Sequence, residues 1–411
     1  MRRALPILLY SALTAAMAAA AADAAREGWA DWLSGVNTPQ SLARAAKLDP
    51  GNASLHALLA EHQEGLGGDP KPELQTAATL SPREARYWAR LAFRAETEKN
   101  DDQAEKYLLR AADVDRMFTP RWALANFYLR RGDTQRGDID QFWNWLTRSI
   151  DMAPDEPGAI FQVAWAVARD GRKVRSVLPA KPEVLREYVR WLVGTQAVTE
   201  ASAPARELAQ KAGPAEVDIL LDYINHAIEA DSDAALEVWN ELCRSKLLPF
   251  SQLNPRTGPV VTDGAFAHDP LPRGFGWTME RQGGISQNLT ADGSGVVVQF
   301  SGKEAETAAL LMQRIPLAAG QRYRLRYEYR VAGNNWKNGL SWRILNQPAD
   351  GDLLEGREPL GSADRWQTAT AEFHSAKTYA PRLMLYYQRQ PGMVPWEGAV
   401  YIRKVDIEAV R

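Results

Sequence analysis

Aromatic, amide and guanidinium side chains suited to ligand binding occur together in the last third of the chain. In the stretch 383–388, the period-two alternation of a β-strand turns Tyr386 and Gln388 away from the apolar side. The same alternation over 340–345 turns Arg343 outward. A ring supplies apolar contact, and amide and guanidinium groups supply donors in fixed directions, so the set predicts a sugar-binding surface. An ordinary solvated face is the alternative, because it carries the same residue types.

Two tryptophans in polar turns extend this candidate surface. Trp336 lies within the polar stretch 333–339, and Trp396 lies in the turn 395–398. An exposed indole can stack on a sugar ring while neighbouring amides and charges bind the hydroxyl groups. In the alternative, each ring folds back and covers the end of its domain. Five other tryptophans lie on apolar faces or at the starts of strands and are predicted to be core residues: Trp88, Trp122, Trp277, Trp342 and Trp366.

No catalytic motif accompanies these residues in the sequence. A phosphate-binding glycine loop, a Gly-x-Ser-x-Gly elbow and a His-Glu-x-x-His motif are all missing, and the five histidines are scattered. The single cysteine, Cys243, excludes an intramolecular disulfide and is predicted to be a small buried helix residue. We therefore assign no catalytic residue, metal ligand or cofactor. Carboxylates are plentiful, so counting alone does not exclude a glycosidase pair.

The N-terminus has the form of an export signal. Two arginines follow Met1, residues 4–22 are uncharged and rich in alanine, and several Ala-x-Ala sites precede Arg26. This predicts a signal peptide over 1–25 and a periplasmic or cell-envelope protein; an uncleaved membrane anchor is the alternative. The net charge of −2 over 411 residues gives no basic excess that would favour nucleic acid as a partner.

A pattern of leucine, a small residue and an aliphatic residue recurs four times in the first half of the chain. The four occurrences are Leu42/Ala45/Leu48, Leu74/Ala77/Leu80, Leu108/Ala111/Val114 and Leu146/Ser149/Met152. Their leucines are 32, 34 and 38 residues apart, and the longest interval predicts an insert at 137–140. Residues three and four apart share one helix face, so each unit predicts a helix that buries its apolar face against neighbouring helices.

The repeat resembles the tetratricopeptide repeat, whose period is about 34 residues. The best-matching unit begins at Ala85 and contains the residues that carry the resemblance: Trp88, Leu91, Ala92, Ala95, Ala104 and Leu108. The resemblance implies an α-solenoid that contacts a protein partner. We expect this solenoid over 26–246, with divergent helices after residue 168 as its C-terminal cap.

The composition and the period change after Leu247. Residues 247–272 are rich in Pro, Gly, Asn and Asp, which predicts a linker and a loop leading into the next domain. From residue 273 onward the apolar period is two, as over 323–330, and turns separate short predicted strands. The chain therefore predicts a multidomain α-then-β protein, in which a TPR-like solenoid precedes an antiparallel β-sandwich over 273–411.

The C-terminal part resembles carbohydrate-binding modules of families 4 and 9, which are jelly-roll sandwiches. The matching pieces, in chain order, are 263–266, 276–277, 323–330, 364–367, Phe373 and 405–407. The resemblance implies a jelly roll and a glycan ligand. It also implies a structural calcium, but Ala267 stands where the family commonly has an acidic residue and leaves Asp406 alone. One carboxylate is a poor site for this cation, so we assign no calcium.

Together these features predict an exported, non-enzymatic scaffold or adaptor. Its repeats would bind a protein and its sandwich would bind polysaccharide, as part of bacterial envelope polysaccharide assembly or export. One alternative is a glycan-processing enzyme with a site between the two domains. The other is a structural sandwich without a ligand. Membrane contact is expected only if the N-terminal segment stays uncleaved.

Overall fold

The computed structural model describes residues 4–153, 157–332, 339–345, 353–354, 360 and 363–410. The chain forms two compact units, Met1–Ile160 and Phe161–Arg411. The sequence instead placed a domain boundary near residue 246. Helices that were expected to cap the solenoid therefore belong to the same unit as the β-sandwich.

Fourteen α-helices occur in the described residues. They are α1 Ala4–Val36, α2 Pro39–Leu48, α3 Ala53–Gly65, α4 Lys71–Leu80, α5 Ala85–Thr97, α6 Asp101–Val114, α7 Phe118–Arg131, α8 Asp138–Ile150, α9 Gly158–Ala168, α10 Gly171–Val177, α11 Pro182–Gly194, α12 Val198–Gln210, α13 Val217–Ala230 and α14 Ser232–Arg244. In the first unit, α1 pairs with α2, α3 with α4, α5 with α6, and α7 with α8. Each pair also contacts the next, as a helical repeat requires.

The repeated leucines and small residues occupy the core positions expected of them. Each pattern begins in an even-numbered helix, and its first two residues are at most 4% exposed: Leu42, Ala45, Leu74, Ala77, Leu108, Ala111, Leu146 and Ser149. The third position differs, because Leu80 and Met152 are exposed. The small second residue lets neighbouring helices approach closely, and the leucine before it fills the space between them.

The extra residues between α7 and α8 do not form a loop over all of 137–140. Gly137 precedes α8 with a left-handed φ of 68°, and Asp138 already begins the helix. The longer connection is therefore 132–137. The sequence placed it too far along the chain because charge and glycine content do not reveal that Asp138 is buried.

No described helix is long and apolar enough to cross a lipid bilayer. α1 is a single helix that continues from the expected signal segment to Val36. Its last turns belong to the first unit, where Ala30 and Leu33 pack with Ala45, Ala46 and Leu55.

Nine strands follow in the described residues: β1 Trp277–Met279, β2 Ile285–Leu289, β3 Val296–Ser301, β4 Thr307–Arg314, β5 Gln321–Ala332, β6 Leu340–Leu345, β7 Gln367–Ser375, β8 Arg382–Gln388 and β9 Glu397–Val410. They form a four-stranded sheet, β1-β4-β8-β6, and a five-stranded sheet, β2-β3-β9-β5-β7, and every pairing is antiparallel. From β4 onward successive strands alternate between the sheets, as in a jelly roll. The predicted fold class is confirmed.

One apolar core lies between the two sheets. Leu325 and Ile407 from the five-stranded sheet and Leu385 from the four-stranded sheet are all inaccessible to solvent. A bulge at Leu310 interrupts the β4–β8 ladder, and both Leu310 and Leu311 are buried as a result. Because the two inner faces are filled, a ligand surface on this domain has to lie on an outer face or at an edge.

The segment 247–276 packs tightly against both the helices and the sandwich of the second unit. Leu253 is buried, and its backbone N–H and carbonyl both bond to the side chain of Asn240 in α14. Gly264 lies so close to β9 that an added Cβ would come within 1.8 Å of the Val405 carbonyl oxygen. A segment with these contacts is structured, although its composition resembles that of a linker.

Candidate functional site

Three of the five residues selected from the sequence meet on the outer face of the four-stranded sheet. β8 lies between β4 and β6, so Tyr386 and Gln388 are flanked by Arg343 of β6. The Arg343 guanidinium carbon is 3.9 Å from the centroid of the Tyr386 ring. Its Nη2 donates to Gln388 Oε1 at 2.8 Å. Strand alternation predicted this outward orientation, and the pairing of β6 with β8 brings the residues together.

These contacts fix the direction of the remaining polar groups. Because Gln388 Oε1 accepts from Arg343, the Gln388 Nε2 donors point to the opposite side of the amide. Gln388 is exposed, and Tyr386 is half-buried. The neighbouring Tyr387 points into the core, where burial and a hydrogen bond to Glu304 raise its pKa to about 12. A hydroxyl and an amide are thus presented outward beside a planar cation.

Neither tryptophan predicted for this surface is seen as an exposed ring on it. Trp336 lies outside the described residues. Trp396 is 3% exposed, and its ring centroid is 4.8 Å from that of Phe300. Its backbone N–H donates to the buried Glu304 carboxylate at 2.7 Å. Trp396 therefore covers the end of the core, which was the alternative interpretation, and it offers no open ring to a ligand.

A second aromatic cluster lies on the outer face of the five-stranded sheet, and the sequence did not predict it. Trp366, expected in the core, is half-buried and lies 3.9 Å from the guanidinium carbon of Arg403. Tyr401 lies 4.2 Å from that of Arg330. Glu328 accepts hydrogen bonds from Arg403 and from Lys404, both at 2.7 Å. An arginine covers each of these rings, as Arg343 covers Tyr386, but here Glu328 also neutralises part of the positive charge. For that reason this cluster is the weaker candidate for a ligand site.

The alternation along β8 extends the first surface to the other end of the strand. Residues 382, 384, 386 and 388 share the outer face, and at ~3.3 Å per residue they span about 20 Å. Arg382 begins this row and is exposed. We call Arg382, Tyr386 and Gln388, together with Arg343, the β8 strip; Met384 has the same orientation but is only 8% exposed. The same alternation would have predicted that Arg382 points outward, but the stretch identified from the sequence began at residue 383, one residue after it.

The described residues contain no group of three or more His, Cys, Asp or Glu side chains that could hold a metal ion. Asp263 directs its carboxylate to backbone donors, accepting from Ala267 N and His268 N at 2.9 Å each. Cys243 is buried in α14, and burial raises the pKa of its thiol to about 12. A neutral, enclosed thiol is a packing group, as the sequence predicted.

No protein-family model and no curated protein sequence matches this chain. Solved structures do match parts of it. A carbohydrate-binding module of family 4 covers 36% of this chain and 99% of its own, with 11% identity and a TM-score of 0.28. PilF of Pseudomonas aeruginosa covers 56% of this chain and 94% of its own, with 22% identity and a TM-score of 0.26.

A third structure, YrrB, is described as a TPR protein with an unusual peptide-binding site. It covers 51% of this chain and 100% of its own, with 10% identity and a TM-score of 0.25. Each of these likenesses concerns the fold of one part of the chain. The chain is similar to tetratricopeptide-repeat proteins in its helical half and to carbohydrate-binding modules in its β-sandwich.

Proposed function

We propose that this protein is a non-enzymatic polysaccharide-binding adaptor whose β8 strip contacts the glycan. The observation that carries the proposal is the convergence of Arg343, Tyr386 and Gln388 on one outer sheet face. An aromatic ring flanked by oriented amide and guanidinium donors suits a sugar, which has apolar C–H faces and hydroxyl edges.

The composition of the strip favours binding over hydrolysis. Neither β6 nor β8 contains an aspartate or glutamate. Glycoside hydrolysis ordinarily needs two carboxyl groups on either side of the scissile bond, about 5–9.5 Å apart. A row of rings, amides and guanidinium groups can hold a chain but cannot supply that acid and base pair.

Replacing Tyr386 with alanine tests the proposal. We expect the full-length Tyr386→Ala variant to bind polysaccharide about tenfold more weakly, a loss of ~1.4 kcal/mol, because the ring contact and the hydroxyl are removed. The melting temperature should stay close to that of the wild type, since the side chain is half-exposed. Affinity electrophoresis in gels containing neutral or acidic polysaccharides measures the binding.

Tyr401→Ala is the matched control, because Tyr401 is also half-buried beneath an arginine but lies on the other sheet. It should leave retardation in the gel unchanged. A loss confined to Tyr401→Ala would move the site to the five-stranded sheet. If no polysaccharide retards the wild type, the sandwich is structural and the proposal is wrong. Release of reducing ends from a retained polysaccharide would instead identify an enzyme.

The helical repeats are proposed to contact a protein partner. Large apolar side chains are exposed along the first unit, including Trp32 at 66%, Phe93 at 65% and Met117 at 61%. Exposed apolar groups on a repeat domain suit the contact surface of a second protein. In this proposal the repeats hold the partner while the sandwich holds the glycan, as expected for envelope polysaccharide assembly or export.

Export to the periplasm or cell envelope is the remaining part of the proposal. The basic start and the uncharged stretch 4–22 support it. We expect the mature protein to begin between about residues 19 and 26, within the run of Ala-x-Ala sites. N-terminal sequencing of the protein from envelope fractions measures this. An intact Met1 on protein from the soluble cytoplasmic fraction would contradict export.

A further inference from the structure

A pocket of about 240 Å³ adjoins the Arg382 end of the β8 strip. It is lined by the four-stranded sheet, by α13 and by the segment that precedes β1. Its polar side chains include Asn225, Arg273, Thr278, Glu280, Arg314 and Arg382. Three arginines and one carboxylate, Glu280, line it, and Arg273 is already paired with Asp218 at 2.8 Å and with Asp222 at 3.1 Å. Its volume is below the ~300–1,000 Å³ of drug-sized sites, so it suits one sugar-sized group rather than a whole oligosaccharide.

Two of the arginines are directly opposite each other in the β4–β8 ladder. Arg314 pairs in register with Arg382, and both point to the outer face. Cross-strand partners have Cβ atoms about 4.5–5.5 Å apart, and like charges at that spacing destabilise a sheet. Arg314 is partly relieved by Glu229 of α13 and by the Ala380 carbonyl. Arg382 has no ion-pair partner among the described residues, so its guanidinium is the one of this pair that can still bind an anion.

The pKa of Arg314 is affected by its closeness to Arg382. Burial and the charge of Arg382 lower the pKa of the Arg314 guanidinium from its ordinary value. An anion in the pocket would reverse the second cause, because it would lie between two cations that now repel each other.

Neutral donors complete the lining. Gly274 N–H donates to Asn225 Oδ1 at 2.6 Å, so the Asn225 amide must present its Nδ2 donors to the other side. Thr278 adds a hydroxyl on β1, next to Met312 in the ladder. Guanidinium, amide and hydroxyl donors around one small pocket are the groups that bind carboxylate, sulfate or phosphate oxygens.

We propose that this pocket binds the anionic group of an acidic polysaccharide whose chain lies along the β8 strip. The inference rests on the proposed function, since it takes the strip as the glycan surface and adds the class of glycan. Arg382 and Arg314 hold the charged oxygens, Asn225 and Thr278 bind those oxygens or adjacent hydroxyls, and Tyr386 contacts the chain about 13 Å further along β8, at ~3.3 Å per residue.

The test compares acidic oligomers with their neutral counterparts on the full-length protein. The probes are oligogalacturonate and oligoalginate, each beside its carboxyl-reduced form, in calorimetric titrations at low salt. We expect at least one acidic oligomer to bind about tenfold or more tightly than its reduced form, because charge-assisted hydrogen bonds are lost on reduction. Arg382→Gln should remove this preference, because it should weaken binding of the acidic form by much more than binding of the neutral form.

Arg322→Gln is the charge-matched control, because Arg322 is exposed on the outer face of the five-stranded sheet. It should leave both affinities unchanged; an equal loss in both variants would indicate unspecific attraction and overturn the pocket. In the absence of ligand, Arg382→Gln should melt at the same temperature as the wild type or higher, since it relieves the repulsion with Arg314. That result separates lost binding from lost folding.

The outcomes also distinguish the two proposals. If neutral and acidic oligomers bind equally and Arg382→Gln changes neither, the strip binds glycan and the anionic pocket is wrong. If the protein binds neutral polysaccharide but no acidic one, the strip again binds glycan and the anionic pocket is again wrong. If nothing binds, including the neutral and acidic polysaccharides of the gel assay, the proposed function itself fails and the pocket proposal fails with it.

Discussion

Replacing Asp138 with alanine should lower the free energy of unfolding of the first unit by about 3–5 kcal/mol. The side chain is fully inaccessible to solvent and accepts bonds from Arg131 Nε at 2.8 Å and from the Asp133 backbone N–H at 2.7 Å. The Arg131 side chain is only 8% exposed. Truncation leaves that buried guanidinium with Glu105 alone, at 2.7 Å, and leaves the Asp133 N–H without its acceptor. Urea unfolding followed by far-ultraviolet circular dichroism measures the loss.

Asp102→Ala provides the control, because Asp102 pairs with Arg136 at 2.7 Å but on the exposed surface. Solvent screens such a pair, so the variant should unfold almost as the wild type does. Equal destabilisation by both variants would mean that burial does not set the contribution of Asp138.

The contribution of Asp138 should also depend on pH. Hydrogen bonds and charge from Arg131 hold the pKa of the Asp138 carboxyl below its ordinary value. A carboxyl whose pKa is lower in the folded state stabilises the fold fully above its unfolded pKa, ~3.9, and progressively less as the pH falls toward the folded value. The difference between wild type and Asp138→Ala should therefore be constant near neutral pH and should shrink below about pH 4.

Replacing Trp239 with alanine should destabilise the second unit as a whole, by about 3–5 kcal/mol. This α14 ring is fully buried and lies 5.9 Å from the Phe250 ring and 5.7 Å from the Phe275 ring. Both partners belong to the segment that continues into β1. The cavity would therefore open where the helices meet that segment, and we expect α11–α14 and the sandwich to melt together at a lower temperature. Calorimetry of residues 161–411 measures this.

Phe93→Ala is the comparison for Trp239→Ala, since Phe93 is 65% exposed and lies in the first unit. It should leave the transition of the second unit in the full-length protein unchanged. Two separate transitions within 161–411, with the sandwich unaffected by Trp239→Ala, would restore the domain boundary near residue 246 that the composition indicates.

The spacing of apolar residues was sufficient to predict helices and the outward orientation of strand residues, because both depend on residues close together in the sequence. The leucine and alanine spacing identified the helices whose residues Leu42, Leu74, Leu108 and Leu146 are buried. Period-two alternation predicted that Tyr386, Gln388 and Arg343 point outward, and the ladder agrees. The strand β2 shows no such pattern: three of its five residues are polar, and its pairing with β3 makes it a strand.

Burial of single aromatic rings was decided by tertiary contacts. Trp396 lies in a polar turn, yet its ring packs on Phe300 and its backbone N–H donates to Glu304, so the side chain is buried. Trp366 stands at the start of a strand, yet it lies outside under Arg403. In both cases the covering residues are distant in sequence, so the local composition that surrounds a tryptophan carries no information about them.

The sequence by itself therefore determined the helical repeats, most of the strands and the outward direction of the strip along β8. Only the tertiary structure decided that the segment 247–276 is packed, that the late helices share a unit with the sandwich, and that Arg314 lies opposite Arg382. The physical reason is the range of the interactions. Periodicity follows from the backbone geometry of adjacent residues, whereas strand register, burial and like-charge contacts depend on which distant surfaces the folded chain brings together.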